Sequence, residues 1–456
     1  MQTTIFEKSE IMNFPTQTKT QPELPEGWKW VTIDDIGQTV SGGTPSTAIS
    51  EYWKDEIAWI SPADLSGFNQ KYISKGKKSI SKLGLENSSA QLMPKGSVLF
   101  SSRAPVGYVV IALEELATNQ GFKSVVPKKD ILSEYIFYYF KSITQLANQV
   151  ATGTTFKELS GTAFKKLPFP LPPFPIQQAI VVKIEELFSE LDQSIASLKT
   201  AQQQLKIYRQ AVLKWAFEGK LHQGHVPGIT IRTGHVQEEI LLAAEPEEKY
   251  GEVKGESQDL PEGWKWVKIG DICKCIVPNR DKPKSFSGPI KWVTTPNLCE
   301  ESIKLDYQKI NLGLTELETQ KYNARVIPTK SVIMTCVGTF GLSAVIDQPV
   351  VINQQLHAFL PAERIYPKYL AFCIQINKRY FEAKSTSTTI QYLNKGNCNS
   401  MPFPLCPVET QKEIVAAIES RLSVADNLEK SIRQSLDKAE ALRQSILKKA
   451  FEGKLV

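Results

Sequence analysis

The chain has 456 residues, 41% of them apolar, enough for two to three domains that each bury a core of their own. Charged residues make up 22%, and 54 Lys and Arg against 48 Asp and Glu leave +6, an excess that permits nucleic acid as a partner without demanding it. No run reaches the roughly 18 apolar residues of a membrane span, and MQTTIFEKSE has neither the basic start nor the apolar stretch of a secretory signal, so a cytoplasmic protein is expected.

Residues 1–23 are polar and Thr/Gln-rich and read as a flexible extension. At 24–31 stands LPEGWKWV, which recurs letter for letter at 260–267. Chance does not repeat two tryptophans in eight residues when the chain holds 8 in all. The repeat persists downstream. WISPADL at 59–65 is answered by WVTTPNL at 292–298, an offset of 233. An offset of 234 then relates KGSVLF (95–100) to TKSVIM (329–334), Gly107 to Gly341, Asn119-Gln120 to Asn353-Gln354, PFPL at 168–171 to PFPL at 402–405, and FEGKL at 217–221 to FEGKL at 451–455. So long a period belongs to a duplicated module and not to a solenoid.

Within each copy the character changes partway. The first part mixes strand-like runs (SVLFSS, YVVIAL, FKSVV; then SVIMTCV, AVID) with one helix, EYIFYYFKSITQLANQ, which predicts a compact α/β or α+β body. After the extended PFPLPPFP, residues 176–218 contain neither Gly nor Pro. Ile180, Ile184, Leu187, Leu191, Leu198, Leu205 and Val212 fall there at coiled-coil spacing. The second copy repeats the switch over 409–452, with Ile414, Ile418, Leu422, Ala425, Leu428, Ile432, Ala439, Leu442 and Ile446 as its stripe. Gly219 and Gly453 stand where C-terminal caps are expected. A helix of about 43 residues is on the order of 65 Å long. That is too long for one small body, so the partner expected for each helix is the other one.

The expected segments are therefore an extension (1–23), a first domain (24–175), a long helix (176–221), an acidic tether (222–259), a second domain (260–407) and a second long helix (408–456). The tether holds eight acidic and three basic residues. His222 and His225 in it have no thiolate neighbours, so no metal site is expected. All seven cysteines lie in the second copy without paired C-x-x-C spacing, which suits free, buried thiols in a reducing compartment.

Marks of catalysis are missing. Leu171-Pro172-Pro173-Phe174 has leucine where an adenine methyltransferase needs a polar residue before Pro-Pro-aromatic, and Lys71 stands where the first glycine of a phosphate-binding loop ending in GKKS (76–79) belongs. With four histidines, three of them in the tether, acid-base catalysis by imidazole is not expected. The sequence describes a reader.

The two LPEGW bodies, GGTPST at 42–47 followed by Tyr52-Trp53 and WISPADL, ATGTTFKELS ahead of PFPLPPFPIQQAIVVKIEEL, and the helix ending FEGKL, all then duplicated, resemble the DNA specificity subunit of a type I restriction-modification system. The resemblance covers about 24–221 and 260–456. It implies an α+β fold class in which two pseudo-symmetric DNA target-recognition domains are separated by two long helices forming an antiparallel coiled coil, which sets an unread spacer. Each domain would read one half of a bipartite, asymmetric target. The resemblance further implies a non-catalytic role beside two adenine methyltransferase subunits and two restriction/translocase subunits, with S-adenosylmethionine, ATP and Mg2+ belonging to those partners and no cofactor in this chain. Two other readings stand beside it: a single-chain DNA-modifying enzyme, which would bind S-adenosylmethionine alone, and a coiled-coil interaction protein that leaves duplex DNA unprotected. The second copy departs in CKCIVPNRDKPK (273–284), which replaces SGGTPSTAISEY, and in Ser387, which replaces Gly153.

Residues common to both copies should build and dock, while divergent loop residues should read bases. In the first body Ser41, Gly42, Gly43, Thr44 and Ser46 form a Gly-Gly loop whose backbone suits close approach to phosphate. Ser102 and Arg103 follow a strand, and the guanidinium suits a guanine edge, whereas the counterpart Cys336 to Thr339 is uncharged. Lys77 and Lys78 suit phosphate contact or a solvated face equally. In the second body Asn279, Arg280, Lys282 and Lys284 make the densest basic loop. The hydroxyl-rich strings containing Thr154, Thr155 and Lys157, and Thr388, Thr389 and Gln391, suit backbone positioning or docking, and capping and packing equally well.

Overall fold

The computed structural model describes residues 23–103, 105–152, 157–221, 260–278, 282–300, 302–385 and 391–456. Contacts divide them into two units, one comprising the described residues up to Ala196 together with Gln434–Val456, the other Ser197–Arg433. Each long helix contributes to both.

In the first unit the Trp-Lys-Trp-Val of the repeated octapeptide forms the strand Lys29–Thr32, paired antiparallel with Pro168–Leu171. Pro168 and Pro170 have no N–H to donate, so this strand is confined to a two-stranded ribbon. The free carbonyls are used: Tyr135 donates its hydroxyl to Pro170 O at 2.9 Å, and Tyr139 donates to Pro168 O. The body is a five-stranded sheet in the order Gly37–Ser41, Phe122–Pro127, Val98–Ser102, Val106–Ala112, Tyr72–Ile73, and a three-stranded one in the order Lys78–Ile80, Ile57–Ile60, Ala117–Thr118. The helix Ser133–Ser142 buries every residue from Tyr135 to Phe140. The single helix expected through residue 149 is broken at Ile143, which leaves helical geometry (ψ 8°) to bury its own side chain, and a second helix runs Thr144–Val150.

The second unit repeats the plan. Lys265–Lys268 pairs with Pro402–Leu405, and Tyr369 donates to Pro404 O at 2.9 Å. Its sheets run Cys275–Ile276, Leu356–Phe359, Val332–Thr335, Ser343–Val345, and Gly313–Leu314, Ile290–Val293, Val350–Ile352, Val326–Ile327. Small devices recur too. Ser61 and Asp64 cap each other at the start of Pro62–Leu65, as Thr294 and Asn297 do at Thr295–Asn297.

The long helices are Phe174–Phe217 and Val408–Phe451, each of 44 residues. The first starts two residues before position 176 because Pro175 lies in the opening turn, where a missing N–H costs nothing. Ile180 and Ile184 are fully buried in the first unit, Leu191 and Ile446 nearly so, and Leu187 is half-buried. In the second unit Leu205, Val212, Ile414, Ile418 and Ile432 are buried, and Leu198, Leu422 and Leu428 half-buried. Leu442 corrects the expected stripe, for it is 51% exposed. The seam position belongs to Arg443, whose guanidinium lies 4.7 Å from the Phe188 ring centre and pairs with Asp192. Its stem packs while its charge is satisfied, which a search for apolar letters does not see.

Pairing is antiparallel in each unit separately. Arg443–Asp192 in the first is matched by Arg209–Asp426, 2.6 Å, in the second. Both members of one pair lie 234 residues from those of the other, so each unit is held by the same pair of residue types at matching positions.

Helix ends explain the repeated words. Phe451 packs against Tyr135 and Tyr139 (centroids 5.2 and 5.1 Å), and Phe217 against Tyr369 (4.9 Å). Gly453 (φ +68°) faces Pro25, and Gly219 (φ +74°) faces Pro261. A Cβ on either glycine would fall 2.2 Å from the proline Cγ. The FEGKL of each copy thus docks on the LPEGW of the other. Gly453→Ala and Gly219→Ala each add left-handed strain of about 1 to 2 kcal/mol besides that clash. Each is expected to lower the unfolding midpoint in a denaturant titration, the two effects adding.

Candidate nucleic-acid interface

The GGTPST loop leaves the sheet after Ser41. Gly42 and Gly43 are buried, and a Cβ on them would lie 1.9 Å from Asn119 O and 2.2 Å from Ala90 N. This corrects the expectation of a Gly-Gly backbone open to phosphate: the missing side chains serve close approach of the chain to itself. The loop is also tied down. Gly43 N donates to Thr118 O and Trp59 Nε1 to Gly43 O, both at 2.9 Å, while Trp53 Nε1 donates to Ser46 O at 3.1 Å. Ser41, Thr44 and Ser46 remain exposed, with Thr44 Oγ1 hydrogen-bonded to Gln120.

Beside the loop lies an open groove of about 420 Å³ lined by Trp53, Lys54, Asp55, Lys75, Lys77, Lys78 and Ser79. Lys77 and Lys78 are exposed in it. Asp64 takes the Lys77 N–H at 2.9 Å, and the Lys78 ammonium stands 5.2 Å from the Trp53 ring centre. Four lysines against one aspartate make this groove cationic beside an aromatic ring, a pairing suited to a nucleic-acid strand. Lys75 is two residues from Lys77, whereas Lys54 joins this company only through folding.

A third cluster lies where the strand Val98–Ser102 ends. Ser102 is fully buried, its N–H and hydroxyl both on Gly121 O (2.7 and 3.1 Å), and is therefore not a base contact. Arg103 is partly exposed, with Nη1 3.9 Å from Glu158 Oε2. Glu158 bridges back to both Arg103 and Thr152, and Leu159 N donates to Ser102 O at 2.8 Å. Lys157 is exposed, its ammonium 3.3 Å from Asn148 O. Thr154 and Thr155 lie outside the described residues. Lys123, unremarked in the strand pattern FKSVV, is opposite Ser41 in the sheet and close enough to feel both Glu158 and Arg103.

In the second unit Lys282 and Lys284 are exposed, while Asn279, Arg280, Thr388 and Thr389 lie outside the described residues. Gln391 is exposed, and its carbonyl accepts from Gly338 N at 3.1 Å. Strand register puts His357 where the first unit has Lys123, since Met334↔His357 repeats Phe100↔Lys123. His357 is buried with Nδ1 3.2 Å from Cys398 Sγ, and burial, helped by Lys395, pushes its pKa down to about 4. The imidazole is neutral. The seven thiols are free, six of them buried. Among the described residues no group of three or more His, Cys, Asp or Glu side chains is placed to hold a metal, and no helix is long and apolar enough to cross a membrane.

The family described as the type I restriction modification DNA specificity domain matches residues 25–206 and again 261–438. The chain is 34% identical over 255 residues to the type I restriction enzyme MjaIX specificity subunit of Methanocaldococcus jannaschii, covering 55% of this chain and 53%, about half, of that relative. It is 24% identical to the EcoBI specificity subunit of Escherichia coli over 95% of this chain and 87% of the relative. Among solved structures, a chain from a study of complex assembly and conformational transition of the type I R-M system superposes with a TM-score of 0.70 at 18% identity, covering 95% of this chain and 99% of that one. The HsdS subunit of Thermoanaerobacter tengcongensis does so at 0.59 and 17%, covering 95% and 98%. At such identities the likeness is one of fold.

Lys77→Gln with Lys78→Gln is expected to weaken binding to duplex DNA of any sequence and to reduce the salt dependence of log K by roughly 2, with thermal unfolding unchanged. Fluorescence anisotropy over a sodium chloride series measures it.

Proposed function

The chain belongs to the family of type I restriction modification DNA specificity domains, and on that premise we propose that it is the sequence-reading subunit of a type I restriction-modification complex. Each unit reads one half of a bipartite DNA target. The observation that carries this reading is the split between what the copies share and what they do not. The ribbon, a tyrosine bond to a proline carbonyl, the helix-end docking and the Arg–Asp pairs recur in both copies. The loops at the sheet ends diverge, with a Gly-Gly loop and an arginine in one copy and a lysine-bearing loop and uncharged residues in the other. A scaffold built twice with unlike loops suits two unlike half-sites.

The chain itself is proposed to be non-catalytic and cytoplasmic and to hold no cofactor. Its partners on this reading are two adenine methyltransferase subunits and two restriction/translocase subunits, which would bring S-adenosylmethionine, ATP and Mg2+. The coiled coil is assigned the unread spacer between half-sites, and what supports this is the length of the helices, 44 residues or about 66 Å each.

Removing one heptad from each helix in register takes away about 10 Å, close to three base pairs. Methylation mapping of cells carrying that variant with its partner subunits should show unchanged half-sites and a spacer shorter by about three base pairs. An unchanged spacer contradicts the assignment.

A further inference from the structure

We propose that Glu158 stands, in the free protein, where an acceptor pair on a DNA base edge will stand in the complex, and that Arg103, once released from it and with Lys123 beside it, sets the base preference of the first reading surface. This rests on the DNA-reading function proposed above and names the residues that perform it in one half.

The three groups meet at one end of the five-stranded sheet. Arg103 follows directly on Val98–Ser102, Lys123 lies in the neighbouring strand opposite both Phe100 and Ser41, and Glu158 reaches the cluster through its bridge to Arg103. One carboxylate therefore has two cations near it, of which only Arg103 is within ion-pair distance. The Arg103–Glu158 contact is slack: at 3.9 Å it is far from the 2.7 to 2.9 Å of a seated guanidinium–carboxylate pair, and the side chains are 35% and 45% exposed, so water screens what attraction remains. Lys123 is buried and makes no ion pair within 4 Å to any described residue. Its ammonium is disfavoured by burial and by Arg103 and favoured by Glu158. An arrangement meant to hold the fold together would close these distances.

The second copy supplies the control. By register its three matching positions are Val337, Tyr392 and His357, with Val337↔Tyr392 repeating Arg103↔Glu158. The same backbone ladder forms there, since Leu393 N donates to Cys336 O at 2.9 Å as Leu159 N does to Ser102 O. None of the three carries charge, His357 being neutral through burial. The scaffold does not need a charged triad at this place. Charge that the shared scaffold can dispense with belongs to what the copies do differently. The guanidinium fork fits two acceptors side by side, such as O6 and N7 of guanine, and Glu158 offers the same acceptor chemistry in their absence. It thereby blocks the fork against DNA that cannot displace it.

The experiment uses the full chain in complex with its methyltransferase partner and a panel of duplexes in which each position of the mapped target is varied, with affinities read by anisotropy. Glu158→Gln, which keeps size and backbone bridges, should bind target and non-target duplexes severalfold more tightly, with the larger gain for non-target DNA. Arg103→Gln should lose roughly tenfold or more of the discrimination at a position in one half-site only. In the Arg103→Gln background the gain from Glu158→Gln should shrink, as coupled groups require. Unaltered or weaker binding by Glu158→Gln, a gain that is undiminished without Arg103, or uniform weakening by Arg103→Gln over all sequences each overturns the proposal. Failure of the unaltered complex to discriminate any sequence would instead overturn the DNA-reading function itself.

Discussion

Everything in this fold depends on where the end of a long helix is buried. A 44-residue amphipathic helix has more apolar stripe than the body from which it springs can cover. Phe451 enters the aromatic nest of Tyr135, Tyr139 and Phe169 at the far end of the chain from its own copy, and Phe217 meets Tyr369 in the same way. Removing a buried phenylalanine of this kind typically costs 3 to 5 kcal/mol, which outweighs the partly exposed ion pairs along the helices. Those pairs choose direction and register; the aromatic docking supplies the energy. Because Tyr135 and Phe169 of one docking site recur as Tyr369 and Phe403 in the other, one unit of sequence used twice satisfies both ends, with Cys373 standing where the first site has Tyr139.

That economy is why so much of the architecture could be read from letters alone. A nearly constant offset, 236 at the octapeptide and 233 to 234 beyond it, marks residues that must keep their places relative to one another, and these proved to be the contacts: octapeptide with PFPL, Pro25 with Gly453, Pro261 with Gly219. Helix ends were legible because glycine is the residue that tolerates the left-handed cap. Legibility failed where a residue's job is set by neighbours distant in sequence. Gly42 and Gly43 look like an anion loop until Asn119 and Ala90 are seen against them. Leu442 fits a heptad count better than Arg443, yet Phe188 and Asp192 favour the arginine. Ser102 reads as a loop residue and ends a buried strand, while Lys123 hides in an apolar run and reaches the divergent end of the sheet. Asn279, Arg280, Thr154, Thr155, Thr388 and Thr389 lie outside the described residues.

On the proposed reading, the two surfaces illustrate how a duplicated scaffold can acquire unlike specificities without unlike folds. The ladder that joins the strand end to the segment before the prolines is the same in both, and only the side chains hung on it change, from guanidinium, ammonium and carboxylate to isopropyl, imidazole and phenol. Changes of this kind leave the core untouched, since the buried positions beneath them remain aromatic and aliphatic. Specificity can then drift in one half while the other half and the helices stay as they are.

The most direct test is an exchange. Residues 24–167 are replaced by the matching segment of a family member with a different known target, the rest of the chain is kept, and modified sites are mapped across a genome. Independent reading surfaces on a common scaffold predict that one half-site takes the donor's sequence while the other half-site and the spacer stay unaltered. A change in both half-sites together, or in the spacer, would contradict the account.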